Sequence, residues 1–254
     1  DHTFNPWWGC TKVSPGCAHC YAEHMAARFG DWFGPGSARR MMSDHYWKEP
    51  LRWNNTVARN GGIQQRVFCG SMCDWLENRL DLVAPRHRLF DLIDQTPHLI
   101  WMLLSKRLEN WHGLCPSAWT KQWPDIVWAG TTAETQAMWD QRSETLQRVP
   151  SCVRFLSAEP LLGPIRFTPA LVVTSKFTLP GFHPDWVICG GESGHNARPM
   201  HSKWAISLRN QCGHAAVPFF FKQWGAALPM LDDKYALERR DGWLCGQRCQ
   251  EFPK

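Results

Sequence analysis

Ile126-Val-Trp-Ala-Gly-Thr-Thr132, followed directly by Ala133-Glu-Thr-Gln-Ala-Met-Trp-Asp-Gln-Arg-Ser-Glu-Thr-Leu-Gln-Arg148, is the stretch that decides the fold. Its first half is a short, nearly continuous apolar run, the pattern of a strand buried on both faces. Its second half has the amphipathic spacing of a surface helix. A strand covered on both sides is what a strand, helix, strand repeat supplies, by laying parallel strands under helices. Outward from this stretch the unit recurs, with apolar runs at 67–72, 99–105, 153–157, 186–190 and 218–221 and a second amphipathic stretch at 202–215. Six runs predict an α/β fold, a parallel (βα) barrel that is partial at about six strands. A chain of 254 residues has the length of one such domain, 1–254. Three stretches break the rhythm. Residues 29–60, rich in Gly, Trp and Arg, read as an irregular insertion over the barrel mouth. Residues 166–184 read as a long connection, either a hairpin or a lid, and the tail at 226–254 lacks clear periodicity.

Composition narrows the class. Eleven cysteines is an odd number, spread through strand-like and helix-like segments of a chain too large to need disulfide staples, so a reduced cytoplasmic compartment is expected. The chain opens at Asp1 with no basic stretch leading into an apolar run. The start therefore reads as trimmed, without a signal peptide. No apolar run approaches the roughly 20 residues of a spanning helix, so no membrane partner is expected. Sixteen tryptophans beside 28 Lys and Arg suit nucleic acid, because rings stack on bases while cations meet phosphates. The competing reading is an aromatic core with solvated charges.

In a parallel barrel the loops that follow the strands gather at one face and carry the chemistry. This chain places polar residues at nearly every such position: Ser71 and Asp74; Ser105, Lys106 and Arg107; Thr131, Thr132 and Glu134; Ser157 and Glu159; Glu192 and Ser193; Lys222 and Gln223. Ahead of them stands Cys10-Thr-Lys-Val-Ser-Pro-Gly-Cys17-Ala-His-Cys20. Three thiolates on one short loop, turned by Pro15 and Gly16, suit a single soft metal centre. Three protein ligands leave one iron of a cubane cluster open, whereas structural zinc takes four. The alternative is a zinc site completed by His19, His24 or another cysteine. Cys69 with Cys73, and Cys245 with Cys249, are further pairs that fit either a second metal or small buried hydrophobes. Trp7, Trp8, Trp32, Trp47 and Trp53, near the cysteines in sequence, fit either a base-binding mouth or the packing of the insertion.

The run Phe4-Asn-Pro-Trp-Trp-Gly-Cys10 through Cys20-Tyr-Ala-Glu23 resembles a phage-associated three-cysteine-motif family of radical-SAM-like proteins. Further matches are Val67-Phe-Cys-Gly-Ser-Met-Cys-Asp74, Leu104-Ser-Lys-Arg107, Leu156-Ser-Ala-Glu-Pro-Leu-Leu-Gly163, Ile188-Cys-Gly-Gly-Glu-Ser-Gly194 with Ala197-Arg-Pro-Met200, and Pro218-Phe-Phe-Phe-Lys-Gln-Trp-Gly225, so the likeness covers almost the whole chain. The resemblance implies a [4Fe-4S] cluster on Cys10, Cys17 and Cys20 and S-adenosylmethionine on its open iron. It also implies an electron donor such as flavodoxin or ferredoxin, and a phage-encoded protein working in a bacterial cytoplasm. There are departures. Six residues rather than three separate the first two cysteines, and Gly190-Gly-Glu192, which looks like a methionine-binding GGE, comes too late in the chain.

On this reading His19 meets the adenine, Ser71 and Asp74 meet the amino group of S-adenosylmethionine, and Thr131, Glu134, Ser157 and Glu159 meet the ribose. Lys106, Arg107, Glu192, Arg198 and Lys222 are the substrate-binding candidates. Glu159 alternatively caps a loop or pairs with Arg154 or Arg198, and Glu192 alternatively pairs with Lys222. The expected activity is radical modification or rearrangement of a nucleobase or nucleotide, in its sharpest form an isomerase-type step on a hypermodified thymidine of phage DNA. A radical DNA-lesion repair lyase and a non-catalytic zinc-stabilised nucleic-acid binder are the alternatives.

Overall fold

Val127–Thr132 forms a parallel strand with all six residues buried. In the computed structural model, residues 1–167, 171–173, 178–180, 182–227, 242–244 and 247–253 are described. They fall into two compact units: Asp1–Val13, Ala22–Thr131 and Val149–Cys152 make the first, and Ser14–Tyr21, Thr132–Arg148 and the described residues from Val153 onward make the second.

Four parallel strands carry the first unit: β1 (His2–Phe4), β2 (Gln65–Cys69), β3 (Leu99–Ser105) and β4 (Val127–Thr132), paired in that order. Val67, Trp101 and Val127 lie in register across the last three. Three parallel strands carry the second: β5 (Arg154–Ala158), β6 (Trp186–Gly190) and β7 (Phe219–Gln223), with Leu156, Val187 and Phe219 in register. The parallel α/β class is therefore as expected, with seven parallel strands among the described residues rather than about six. The additional one is β1, where only Phe4 is apolar and no periodicity exists to read.

Among the described residues, the helices of six residues or more are α1 (Tyr21–Ala26), α2 (Glu49–Arg59), α3 (Val83–Asp94), α4 (Gln136–Arg148) and α5 (Ser202–His214). Residues 29–60 are not irregular as expected. A two-residue strand, Arg40–Met41, pairs antiparallel with Trp7–Trp8, and a helical turn at Asp44–Trp47 leads into α2. Pro50 sits in the first turn of α2, where its missing N–H costs nothing. The buried face of α2 is Pro50, Asn54 and Val57, with Leu51 and Trp53 half-buried. Asn54 accepts from the His98 backbone N–H at 2.9 Å, which satisfies a polar atom in that face.

Phe4 anchors the first core, with its ring 5.2 Å from Trp47 and 5.7 Å from Trp101, both edge-on. Trp7, Trp75, Trp101, Trp123 and Trp139 are among the largest fully buried side chains, so much of the tryptophan content is core. The 166–184 connection contains the antiparallel pair Leu171–Val173 and Thr178–Pro180, a hairpin. In the tail, Trp243–Leu244 pairs antiparallel with Gln247–Arg248, so part of it is ordered sheet after all; Cys245 lies outside the described residues. Among the described residues no helix is long and apolar enough to cross a membrane.

Candidate active site

The cysteine loop is the connection that leaves β1 and enters α1, and buried ion pairs hold its backbone at both ends. In the first unit, Gly9 N donates to Met72 O at 2.9 Å and Cys10 O accepts from Gly34 N at 3.0 Å. Thr11 is gripped by three side chains. Its N–H donates to Glu77 Oε1 (3.0 Å), its carbonyl accepts from Arg107 Nη2 (2.5 Å) and its hydroxyl accepts from Arg39 Nη2 (3.0 Å). Arg39 and Glu77 form a two-pronged pair at 2.8 and 2.9 Å, with side chains 0% and 5% exposed. Arg39 also donates to the carbonyls of Trp32, Gly34 and Ser37.

Asp74 extends this network. It accepts from Ser105 Oγ (2.6 Å), Lys106 N (3.1 Å), Arg107 Nη1 (2.8 Å) and Leu76 N (3.2 Å). A carboxylate has about four acceptor positions, so Asp74 spends its capacity within the protein, fixing 105–107 after β3. Thr131 is likewise committed, donating to Ser105 O at 2.9 Å while fully buried. Ser71 is held by Asn5 Nδ2 at 3.0 Å. Sequence reading missed Arg39 and Glu77; the adjacent pair Arg39-Arg40 was the available signal, since neighbours in an extended segment point to opposite sides.

In the second unit the loop continues as a 3₁₀ turn, Pro15–Cys17, and Glu134 plays the part Glu77 plays in the first. Glu134 is 0% exposed. Its Oε1 accepts from Ser14 Oγ and from Gly16 N (2.8 Å), and its Oε2 pairs with Arg142 Nη1 at 3.2 Å. A ribose diol would have to displace these donors. On the other flank Arg198 donates to Pro15 O at 3.0 Å while its guanidinium is clasped by Glu192. Glu192 therefore pairs with Arg198 and not with Lys222. Cys17 is buried, with its Sγ 3.7 Å from Ser14 Oγ; His19 and Cys20 are half-buried.

Glu159 is the strand-end carboxylate of this unit that is not spent on the loop. It pairs with Lys222 Nζ at 3.1 Å and accepts from Ser157 Oγ at 3.3 Å, whereas Arg154 pairs with Asp185. Burial lowers the Lys222 ammonium, and the Glu159 charge more than offsets this, so its pKa is raised. The glycines of Gly190-Gly-Glu192 have a packing reason: a Cβ on Gly191 would lie 1.9 Å from the Trp224 carbonyl oxygen.

Cys69, Cys73, Cys189 and Cys212 are buried, and burial raises their thiols, that of Cys212 to about 12. Burial of this kind suits small apolar groups. Among the described residues the cysteines form no disulfide, and no group of three or more His, Cys, Asp or Glu is gathered to hold a metal ion. By donor chemistry alone, the thiols of Cys10, Cys17 and Cys20 suit a soft metal.

A family model described as "Protein of unknown function (DUF5131)" matches residues 1–253. The chain belongs to that family. No curated protein and no solved structure matches. The DUF5131 match takes in the cysteine loop and all seven parallel strands, across both compact units.

The carboxylate anchors carry a pH signature. For Glu77 burial raises the pKa, but hydrogen bonds from the side chains of Arg39 and Thr11 and the charges of Arg39 and Arg107 outweigh it, and the net shift is downward. Glu192 moves the same way, burial being outweighed by Arg198. Folded-state values below the unfolded value of about 4.3 make the contribution complete above that pH and lost as pH falls through the folded values. Urea midpoints are therefore expected to hold from neutral pH to about 5 and to drop steeply below about 4. Glu192→Gln should flatten part of that drop.

Proposed function

We propose that this DUF5131 protein is a radical S-adenosylmethionine enzyme of partial (βα)-barrel type, acting on a nucleobase or nucleotide. The sharpest form of the proposal is rearrangement of a hypermodified thymidine in phage DNA. The observation that carries it is the placement of Cys10, Cys17 and Cys20 on the connection leaving the first parallel strand, a loop anchored at both ends by buried ion pairs. Loops that follow parallel strands are where such folds place their chemistry.

When bound, a [4Fe-4S] cluster with one open iron supplies reductive cleavage of the sulfonium of S-adenosylmethionine. The three thiols would hold it. Glu77, Arg107 and Arg39 fix the backbone beside Cys10, while Glu134 and Arg198 fix the Ser14–Gly16 segment before Cys17. Ser157, Glu159 and Lys222 remain for ribose or substrate, and their hydroxyl, carboxylate and ammonium suit a diol or a phosphate. Asp74, Thr131 and Glu134 serve this reading as positioning residues. The test is anaerobic reconstitution with iron and sulfide, followed by dithionite and S-adenosylmethionine. Release of 5'-deoxyadenosine by the wild type, and its loss in Cys10→Ala, Cys17→Ala and Cys20→Ala, is expected. An intact cluster without that product, or stoichiometric zinc with no iron after anaerobic purification, would refute the proposal.

A further inference from the structure

Trp8, Phe29, Trp32 and Arg40 form an aromatic and cationic platform on the surface of the first unit. The Arg40 guanidinium lies 4.8 Å from the Trp8 ring centroid and 4.8 Å from that of Trp32. The two indoles meet edge-on at 6.0 Å, and Phe29 tilts against Trp8 at 6.5 Å. Phe29 is 66% exposed, Arg40 is exposed, and both tryptophans are half-buried. The local fold builds this face deliberately: Trp8 stands opposite Arg40 across an antiparallel pair, and Phe29 N donates to Ala26 O at 2.8 Å just beyond α1. Among the described residues, the exposed ion pairs of the unit, Lys12 with Glu23, His45 and Arg52 with Glu49, Arg66 with Asp1, Arg79 with Asp81 and Arg88 with Asp44, leave Arg40 out.

The platform is fixed to the first cysteine through the backbone. Gly9 has φ +106°, and a Cβ there would lie 1.9 Å from the Trp32 carbonyl oxygen, so the segments bearing Trp32 and Cys10 pack main chain to main chain. An exposed ring beside a cation held between two indoles matches a single-stranded nucleic acid, whose bases offer faces to stack and whose phosphates take the charge. A duplex hides those faces.

We propose that the platform stacks a base of single-stranded nucleic acid beside Cys10, with Arg40 meeting the adjoining phosphate. This rests on the nucleic-acid reading above, but stacking needs no cluster, so the two fail separately. The test is fluorescence anisotropy of a labelled oligothymidylate of about 15 nucleotides, single-stranded and annealed to its complement, with protein that has not been reconstituted. Single strands should bind more tightly than the duplex. Phe29→Ala, Phe29→Leu and Arg40→Gln should each weaken single-strand binding about tenfold. Lys121→Gln, which removes an exposed charge elsewhere in the unit, should leave it within about twofold. Absence of single-strand binding by the wild type, preference for duplex, unchanged affinity in the Phe29 and Arg40 variants, or an equal loss in Lys121→Gln would overturn the proposal.

Discussion

Replacing Glu77 with leucine should cost the first unit about 3–5 kcal/mol of stability, the usual penalty for stranding a buried charge. Arg39 is completely buried and has Glu77 as its carboxylate partner, and Arg107 lies 3.8 Å from the same oxygen. Removing the carboxylate therefore leaves one guanidinium uncompensated and a second underpaired, and strips the Thr11 N–H of its acceptor. The loss should appear as a lower urea midpoint with an unchanged slope. Adding Arg39→Met to Glu77→Leu should recover part of it, because the stranded charge goes too. Recovery stays incomplete, since the carbonyls of Trp32, Gly34 and Ser37 lose a donor. If Glu77→Leu costs less than about 1 kcal/mol, the buried pair is not what holds Thr11.

Glu134→Ala should have a comparable effect in the second unit, again about 3–5 kcal/mol, with a functional consequence as well. It leaves Arg142 without its carboxylate and takes the acceptor from Ser14 Oγ and the Gly16 N–H, two links that fix the approach to Cys17. Amide exchange at Gly16 should accelerate as that turn opens. Under the proposed function, iron retained per chain after reconstitution should fall severalfold. Leu146→Ala, a cavity at a fully buried residue of α4 costing about 2–5 kcal/mol, should leave iron content unchanged. Equal iron loss in both variants would show that Glu134 acts through stability alone.

The strands were legible where an unbroken apolar run is bounded by polar residues. The runs at 99–105 and 186–190 coincide with β3 and β6, which are buried along most or all of their length, so no polar alternation blurs their ends. β1 was not legible: its pairing with β2 is a long-range choice, and three residues carry no pattern. The site was readable in its residue types and not in its pairings. Glu134, Glu159 and Glu192 all follow strands and look alike in sequence. Tertiary placement alone sends the first to Gly16, the second to Lys222 and the third to Arg198. Expected pairs of Glu159 with Arg154 or Arg198, and of Glu192 with Lys222, were wrong for that reason. Arg39 was missed because its Gly- and Pro-rich surroundings suggest a surface loop, whereas its charge lies at 5% residue exposure.

The backbone crowding at Gly9 and Gly191 yields a criterion for kinship that does not depend on chemistry. At each position any larger residue would drive its Cβ into a carbonyl oxygen. A distant chain with these two glycines in matching places, but serine or aspartate where the thiols stand, would share the scaffold and lack the groups that the proposed reaction needs. A chain with three cysteines and bulky residues at both positions would need another way of bringing its segments together, and its resemblance would then be confined to the cysteine loop.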